Sequence, residues 1–277
     1  MNATPPTQVF DDGKLTVHED FVWLLHRCEL DDFESFFDER AGKLLREVGP
    51  RANVLMTLET DHGERRFFLK RHAPVPLGRK LLSWLRLCRP RTPARVEWFN
   101  IQRLAAPGVA TMSPVALGED PLTGRSFIMT AEIDNAAPAD DYAREHLAGA
   151  DAAPRRRTFV RRLGRLVRRL HAAGLTHRDL YLCHVFVRES EDGVRLHLID
   201  LQRLGSRVFA RRWRVKDVAQ LAYSRPAGTF TRTDVMRFLH AYFDTGGLAG
   251  SHRRFVASVS RKVRRMASRR VPREGGR

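Results

Sequence analysis

His177-Arg178-Asp179-Leu180-Tyr181-Leu182-Cys183-His184, followed downstream by Leu198-Ile199-Asp200-Leu201, is the stretch on which the reading of this sequence turns. Just upstream, Phe159, Val160, Leu163, Leu166, Val167 and Leu170 recur along one face of a 3.6-residue period, and arginines fill much of the rest. Gly174 is placed to stop that helix as a C-cap residue. Between the two motifs, residues 185–187 and 194–199 flank a turn at Glu191-Asp192-Gly193, which reads as a hairpin. An amphipathic helix thus leads into a loop presenting His-Arg-Asp, and a hairpin then ends in two apolar residues and an aspartate.

Working outward, residues 54–59 and 65–71 are strand-like runs separated by Thr60-Asp61-His62-Gly63-Glu64, a second hairpin with glycine in its turn. Residues 44–48 form a shorter strand candidate before Gly49-Pro50. Residues 94–104 read as a helix ended by Ala105-Ala106-Pro107-Gly108, and 115–117 and 126–130 as strands. Residues 134–154, rich in Ala, Asp and Pro, suggest a crossing between lobes, and helical sequence resumes near 216. The expected fold class is α+β, with a small β-rich lobe over 42–133 and a mainly α-helical lobe over 134–251. An acidic extension (1–41) and a basic tail (252–277) flank them, and the chemistry is expected between the lobes.

The 277 residues carry 49 Lys and Arg against 32 Asp and Glu, a net charge of +17, and 43% are hydrophobic, enough to bury a core. Residues 1–41 hold ten acidic and three basic side chains, so the remainder carries +24. Such a field attracts polyanions. Residues 252–277 and 76–95 are the most basic stretches. Each reads either as an interfacial helix on an anionic membrane or as a core-facing helix with a charged back. Neither has the aromatic interleaving of single-strand nucleic-acid binders, so no nucleic-acid partner is expected. No apolar stretch approaches membrane-spanning length, no secretory signal is visible, and Cys28, Cys88 and Cys183 lack metal-ligand spacing. A reduced, cytoplasmic protein is expected.

The helix, the His-Arg-Asp loop and the hairpin closing on Asp200 resemble the catalytic and metal loops of the bilobal protein-kinase-like fold. A finer resemblance rests on the run from Gly174 to His184, on Leu198-Ile199-Asp200-Leu201-Gln202-Arg203, and on Arg211-Arg212-Trp213-Arg214-Val215-Lys216-Asp217-Val218-Ala219-Gln220-Leu221. Phe68-Leu69-Lys70, Glu97-Trp98 with Ile101-Gln102-Arg103-Leu104, and Gly108-Val109-Ala110-Thr111-Met112 add to it. Together these are similar to the bacterial lipopolysaccharide core heptose/Kdo kinases, over about residues 44–245.

The resemblance implies an ATP-dependent phosphotransferase acting on a sugar hydroxyl, most readily heptose, of the lipopolysaccharide inner core. ATP and Mg2+ are the implied cofactors, and the implied location is the inner face of the cytoplasmic membrane. Asp179 would be the base for the acceptor hydroxyl, Lys70 would hold the nucleotide phosphates, and Glu97 would fix Lys70. Arg178 would pair with a carboxylate near the metal loop, and Asp200 would hold magnesium. Glu132 and Ile133 would form the hinge that meets adenine, and Asp217 would hydrogen-bond the catalytic-loop backbone. Phosphoryl transfer needs mainly positioning and charge neutralisation, which two carboxylates and a lysine can supply. His184 stands where protein kinases carry Asn. Magnesium prefers oxygen ligands, so a metal contact and a phosphate hydrogen bond both stay open for it. No Gly-x-Gly-x-x-Gly precedes Lys70, and Ala-Pro-Glu is missing. Kdo, a small molecule or a protein hydroxyl remain alternative acceptors, as does a catalytically silent module that binds anionic membrane.

Overall fold

Every residue of Ser126–Ala131 is buried, as expected of a strand paired on both edges and covered on both faces. It is the centre of a seven-stranded antiparallel sheet in the computed structural model, which describes residues 6–38, 42–61, 63–74, 92–191, 193–206 and 210–269. The chain divides into two units, Met1–Ala106 with Met112–Ile133, and Pro107–Thr111 with Asp134–Arg277.

In the first unit the strands are β1 (Thr7–Phe10), β2 (Leu15–His18), β3 (Lys43–Val48), β4 (Arg51–Thr60), β5 (Gly63–His72), β6 (Pro114–Glu119) and β7 (Ser126–Ala131). Their order is β1-β2-β6-β7-β5-β4-β3. Helix α1 (Glu19–Arg27) follows β2, and α2 (Pro93–Ala105) precedes β6. The β4–β5 hairpin runs in continuous register from Arg51↔His72 to Thr60↔Gly63. Period-two alternation turns Phe67 and Leu69 into the core and leaves Phe68 and Lys70 on the other face.

The acidic lead is not an appendage. Strands β1 and β2 join the sheet through β6, and Phe21, Leu25, Phe33 and Phe36 belong to the same buried cluster as Phe67 and Phe127. Phe36 stacks on Phe127 with ring centroids 4.2 Å apart. The acidic side chains face outward around this aromatic patch; Glu34, for example, is 67% exposed while it pairs with Arg125. Residues 1–5 and 39–41, and the basic run 75–91 with Trp84 and Cys88, lie outside the described residues.

The second unit begins with β8 (Ala136–Pro138), α3 (Ala139–His146) and α4 (Ala153–Ala172), followed by β9 (Leu175–Thr176). Then come β10 (Val185–Ser190), β11 (Gly193–Leu198), β12 (Gly205–Ser206), α5 (Ala210–Ser224), α6 (Arg232–Phe243) and α7 (Gly250–Ser268). The strands form a β11-β10-β8 sheet and a short β12-β9 pair. On α4 the predicted apolar face is buried, and Gly164 lets α6 approach: a Cβ there would lie 2.7 Å from the Phe238 carbonyl oxygen. Arg156 departs from the expected solvated arginine face, being buried and paired with Asp234 at 2.8 Å.

The basic end of the chain is also part of this unit. Helix α7 buries Phe255 and Val259, and Phe255 packs against Tyr242 and Phe243. Of the two readings open for 252–277, the core-facing helix with a charged back is the one observed over Gly250–Ser268; residues 270–277 lie outside the described residues.

Two outcomes follow for stability. Phe36→Ala should destabilise the protein by about 3–5 kcal/mol, the range for deleting a buried phenylalanine, measured by denaturant unfolding; an unchanged midpoint would make residues 34–37 an appendage after all. His72 is buried beside Arg51 and Lys70, and burial first, then those charges, hold it down at about 4. Its neutral form is native, so its contribution is complete above about pH 6.5 and lost as pH falls toward 4, where the unfolded chain takes up a proton first. A His72→Gln variant should show a shallower loss of stability across that window.

Candidate active site

In the first unit, α2 starts where Thr92 accepts the Arg95 N–H at 3.1 Å and Pro93 takes the first helical position. Its buried face of Ala94, Trp98, Ile101 and Leu104 brings Glu97, fully buried, against β5. There Lys70 Nζ donates to Glu97 Oε1 at 2.5 Å. An ammonium so paired has its position fixed, and removing either partner strands a charge out of water. Glu132 also lies in this unit: its backbone N–H donates to the Arg66 carbonyl at 3.0 Å, and its carboxylate accepts from Arg66 Nε at 2.6 Å. That N–H is therefore already used, whatever the segment 132–133 contacts.

In the second unit a buried carboxylate organises the loop. Asp217 on α5 accepts the N–H of His177 at 2.8 Å and of Arg178 at 2.7 Å, and lies 3.2 Å from His171 Nε2. This matches the structural role expected for Asp217. Arg178 sits at φ +66°, a left-handed conformation that a non-glycine residue adopts only when its surroundings hold it there. Lys216 Nζ donates to the Arg178 carbonyl. The Lys216 ammonium is pulled down by burial and by Arg203, against the charges of Asp179 and Asp217. The Arg178 guanidinium, expected against a carboxylate, instead lies over the Trp213 ring at 4.7 Å and has no ion pair among the described residues. It fills the space where a Cβ on Gly205 would be, 2.0 Å from the guanidinium carbon.

Two further residues hold the loop: Gln220, which the quoted family run contains without a role given to it, and Ser224, which lies beyond that run. Gln220, one turn beyond Lys216, donates to Asp179 Oδ1 at 3.1 Å and accepts the Leu180 N–H at 3.1 Å. Ser224, a turn further, accepts the Leu182 N–H at 2.9 Å. The i, i+4 spacing of 216, 220 and 224 puts all three on one stripe of α5.

The hairpin returns the chain to the same place. His177 Nε2 donates to the Ile199 carbonyl at 2.9 Å, and Asp200 is left-handed at φ +56°. His184 Nδ1 lies 2.7 Å from the Asp179 carbonyl and so acts as donor there, which turns Nε2 toward Asp200 Oδ2 at 3.9 Å. Burial pushes His184 down, but hydrogen bonds to Cys183 and the Asp179 carbonyl, with the charge of Asp200, outweigh it and lift the imidazole to about 9. Cys183 itself is exposed.

Asp179, His184 and Asp200 each offer a ligand atom within 4.8 Å of the others. Two carboxylates and an imidazole suit a divalent cation, with the oxygens the better ligands for magnesium. The cation would have to displace the proton on Nε2 to use His184. The site residues expected from the sequence thus gather into two groups, Lys70 with Glu97 and Asp179 with His184 and Asp200.

The sequence pattern of the lipopolysaccharide kinase (Kdo/WaaP) family matches residues 37–242. The chain is 36% identical to the lipopolysaccharide core heptose(I) kinase WaaP of Pseudomonas aeruginosa over 221 residues, 77% of this chain and 81% of the relative. It is 32% identical to the Escherichia coli enzyme of that name over 235 residues, 82% of this chain and 85% of the relative. A solved structure of WaaP in complex with acyl carrier protein is similar with a TM-score of 0.66 and 32% identity, over 91% of this chain and 98% of that one.

Replacing Asp217 with Asn puts an amide where two backbone donors and His171 now meet a carboxylate. Asp217→Asn should destabilise the protein by about 2–4 kcal/mol, since each buried donor left unmatched costs roughly 1–3 kcal/mol. Denaturant unfolding reads this directly, and full stability would mean that the loop finds other acceptors.

Proposed function

The chain belongs to the lipopolysaccharide kinase (Kdo/WaaP) family, and from that premise we propose that it transfers the terminal phosphate of ATP to a heptose hydroxyl of the lipopolysaccharide inner core. The observation that carries the reading to these residues is the Asp179–His184–Asp200 group, with the loop bearing Asp179 pinned by Asp217. Gln220 occupies one carboxylate oxygen of Asp179, leaving the other to accept the proton of the acceptor hydroxyl. The alkoxide oxygen then bonds to the terminal phosphorus as the bond to the bridging oxygen breaks, and ADP leaves with that electron pair. Lys70, fixed by Glu97, neutralises phosphate charge. Asp200, with His184 beside it, would hold magnesium, which when bound offsets the charge on the phosphate oxygens. The segment Glu132–Ile133 is offered for adenine. With the Glu132 N–H committed to Arg66, its carbonyl is the group left to meet the base.

The acceptor carries carboxylates and phosphates, and the net charge of +17 suits such a partner. We place the protein at the cytoplasmic face of the inner membrane, as a peripheral enzyme. In support, no helix among the described residues is long and apolar enough to cross a membrane.

With labelled ATP and truncated lipopolysaccharide, Asp179→Ala should lower turnover by at least about 10²-fold, as removal of a general base does. Lys70→Met should also lower kcat/KM. Near-full transfer by the Asp179 variant would remove that residue from the role of base. Mass spectrometry of the product should place the phosphate on heptose; a phosphate on Kdo, or on generic protein substrates, would replace the acceptor.

A further inference from the structure

Seven of the eleven described residues that line one cavity of the second unit are cations. This cavity has a volume of about 990 Å³ and lies between α5 and α7, with Arg211, Arg212 and Lys216 on one side and Arg261, Lys262 and Arg265 on the other. Arg203, three residues after Asp200, completes the wall. Among the described residues no acidic side chain lines it, and none of these seven side chains forms an ion pair with a carboxylate. The α7 positions 258, 261, 262 and 265 recur at i, i+3, i+4 and i+7, so a single helical face supplies that wall. Phe255 and Val259, on the adjoining face of α7, are buried, which fixes the basic face in place.

Cations held this close repel one another, and only a multiply charged anion relieves that repulsion. Arginines present paired donors that match carboxylate and phosphate oxygens. Trp213 lies in the wall beneath Arg178, Arg212 and Lys216, offering an apolar ring face beside the charges. Lys216 also donates to the Arg178 carbonyl, so the cavity adjoins the loop that carries Asp179. The volume is that of a ligand site for an oligosaccharide fragment rather than for a single ion.

We propose that this cavity is the subsite that receives the carboxylate and phosphate groups of the acceptor glycan. The proposal rests on the kinase reading and deepens it: it assigns acceptor recognition to the α5–α7 wall.

The test uses the full chain and deacylated inner-core oligosaccharide bearing Kdo carboxylates and phosphates. The triple variant Arg261→Gln, Lys262→Gln, Arg265→Gln should bind this probe at least about ten-fold more weakly by calorimetry, as expected for losing several charge-assisted contacts. The acceptor KM should rise to match, kcat should move by less than about three-fold, and ATP affinity should hold. The double variant Arg211→Gln, Arg212→Gln on the opposite wall should act the same way, so the proposal stays testable if one variant folds poorly. Oligosaccharide affinity unchanged in both variants would overturn it. It would equally be overturned if the variants kept oligosaccharide affinity and lost only binding to phosphatidylglycerol vesicles or to acyl carrier protein. Failure of the kinase reading looks different: the unaltered protein would then transfer no phosphate to heptose, whatever its oligosaccharide affinity.

Discussion

The carboxylate of Asp217 is the constraint on which the second unit's chemistry depends. Two successive backbone N–H groups, of His177 and Arg178, point at its two oxygens, and this holds residue 178 in a left-handed conformation. Such a conformation costs about 1–3 kcal/mol for a non-glycine residue and persists only where the surroundings over-determine it. Here they do, because Lys216 grips the Arg178 carbonyl while Trp213 and the bare backbone of Gly205 receive its side chain. The direction in which Asp179 leaves the chain is thus settled by a residue on another element. His177 extends the same control to the hairpin by donating to the Ile199 carbonyl, next to Asp200. The two acidic loops therefore behave as one rigid piece, which is what a charge-stabilising site requires.

Some of this was legible in the sequence, and for identifiable reasons. The face of α4 could be read because its apolar residues keep a 3.6 period while arginines fill the rest. The Lys70–Glu97 pair could be read because Phe68-Leu69-Lys70 and Glu97-Trp98 carry the family spelling in order, and alternation in β5 turns Lys70 away from Phe67 and Leu69. Asp217 was legible through the family spelling around it.

Other parts were hidden. The place of residues 7–37 in the core was masked by their acidic composition, since Phe33 and Phe36 sit in a short irregular turn with no regular period. Gln220 and Ser224 lie on a helix whose polar and apolar residues are poorly segregated, and their partners are backbone N–H groups about forty positions away. No local pattern encodes such a bond. For Arg178, local sequence cannot tell a carboxylate partner from an aromatic face, and the structure supplies Trp213.

The excess of positive charge acquires a purpose from where it lies. A kinase whose acceptor is itself anionic must bring two negatively charged molecules together, and their repulsion opposes encounter unless the protein offsets it. Lys70 cannot serve both partners, because Glu97 ties it to one position in the first unit. The acceptor needs cations of its own. The wall formed by α5 and α7 meets that need with side chains left free of carboxylate partners among the described residues. Burial of Phe255 and Val259 sets the rotation of α7 that turns Arg261, Lys262 and Arg265 toward α5. The hydrophobic face of the last helix thus does electrostatic work: it holds like charges together at a density they would not adopt alone, beside the loop where the acceptor hydroxyl is to lose its proton.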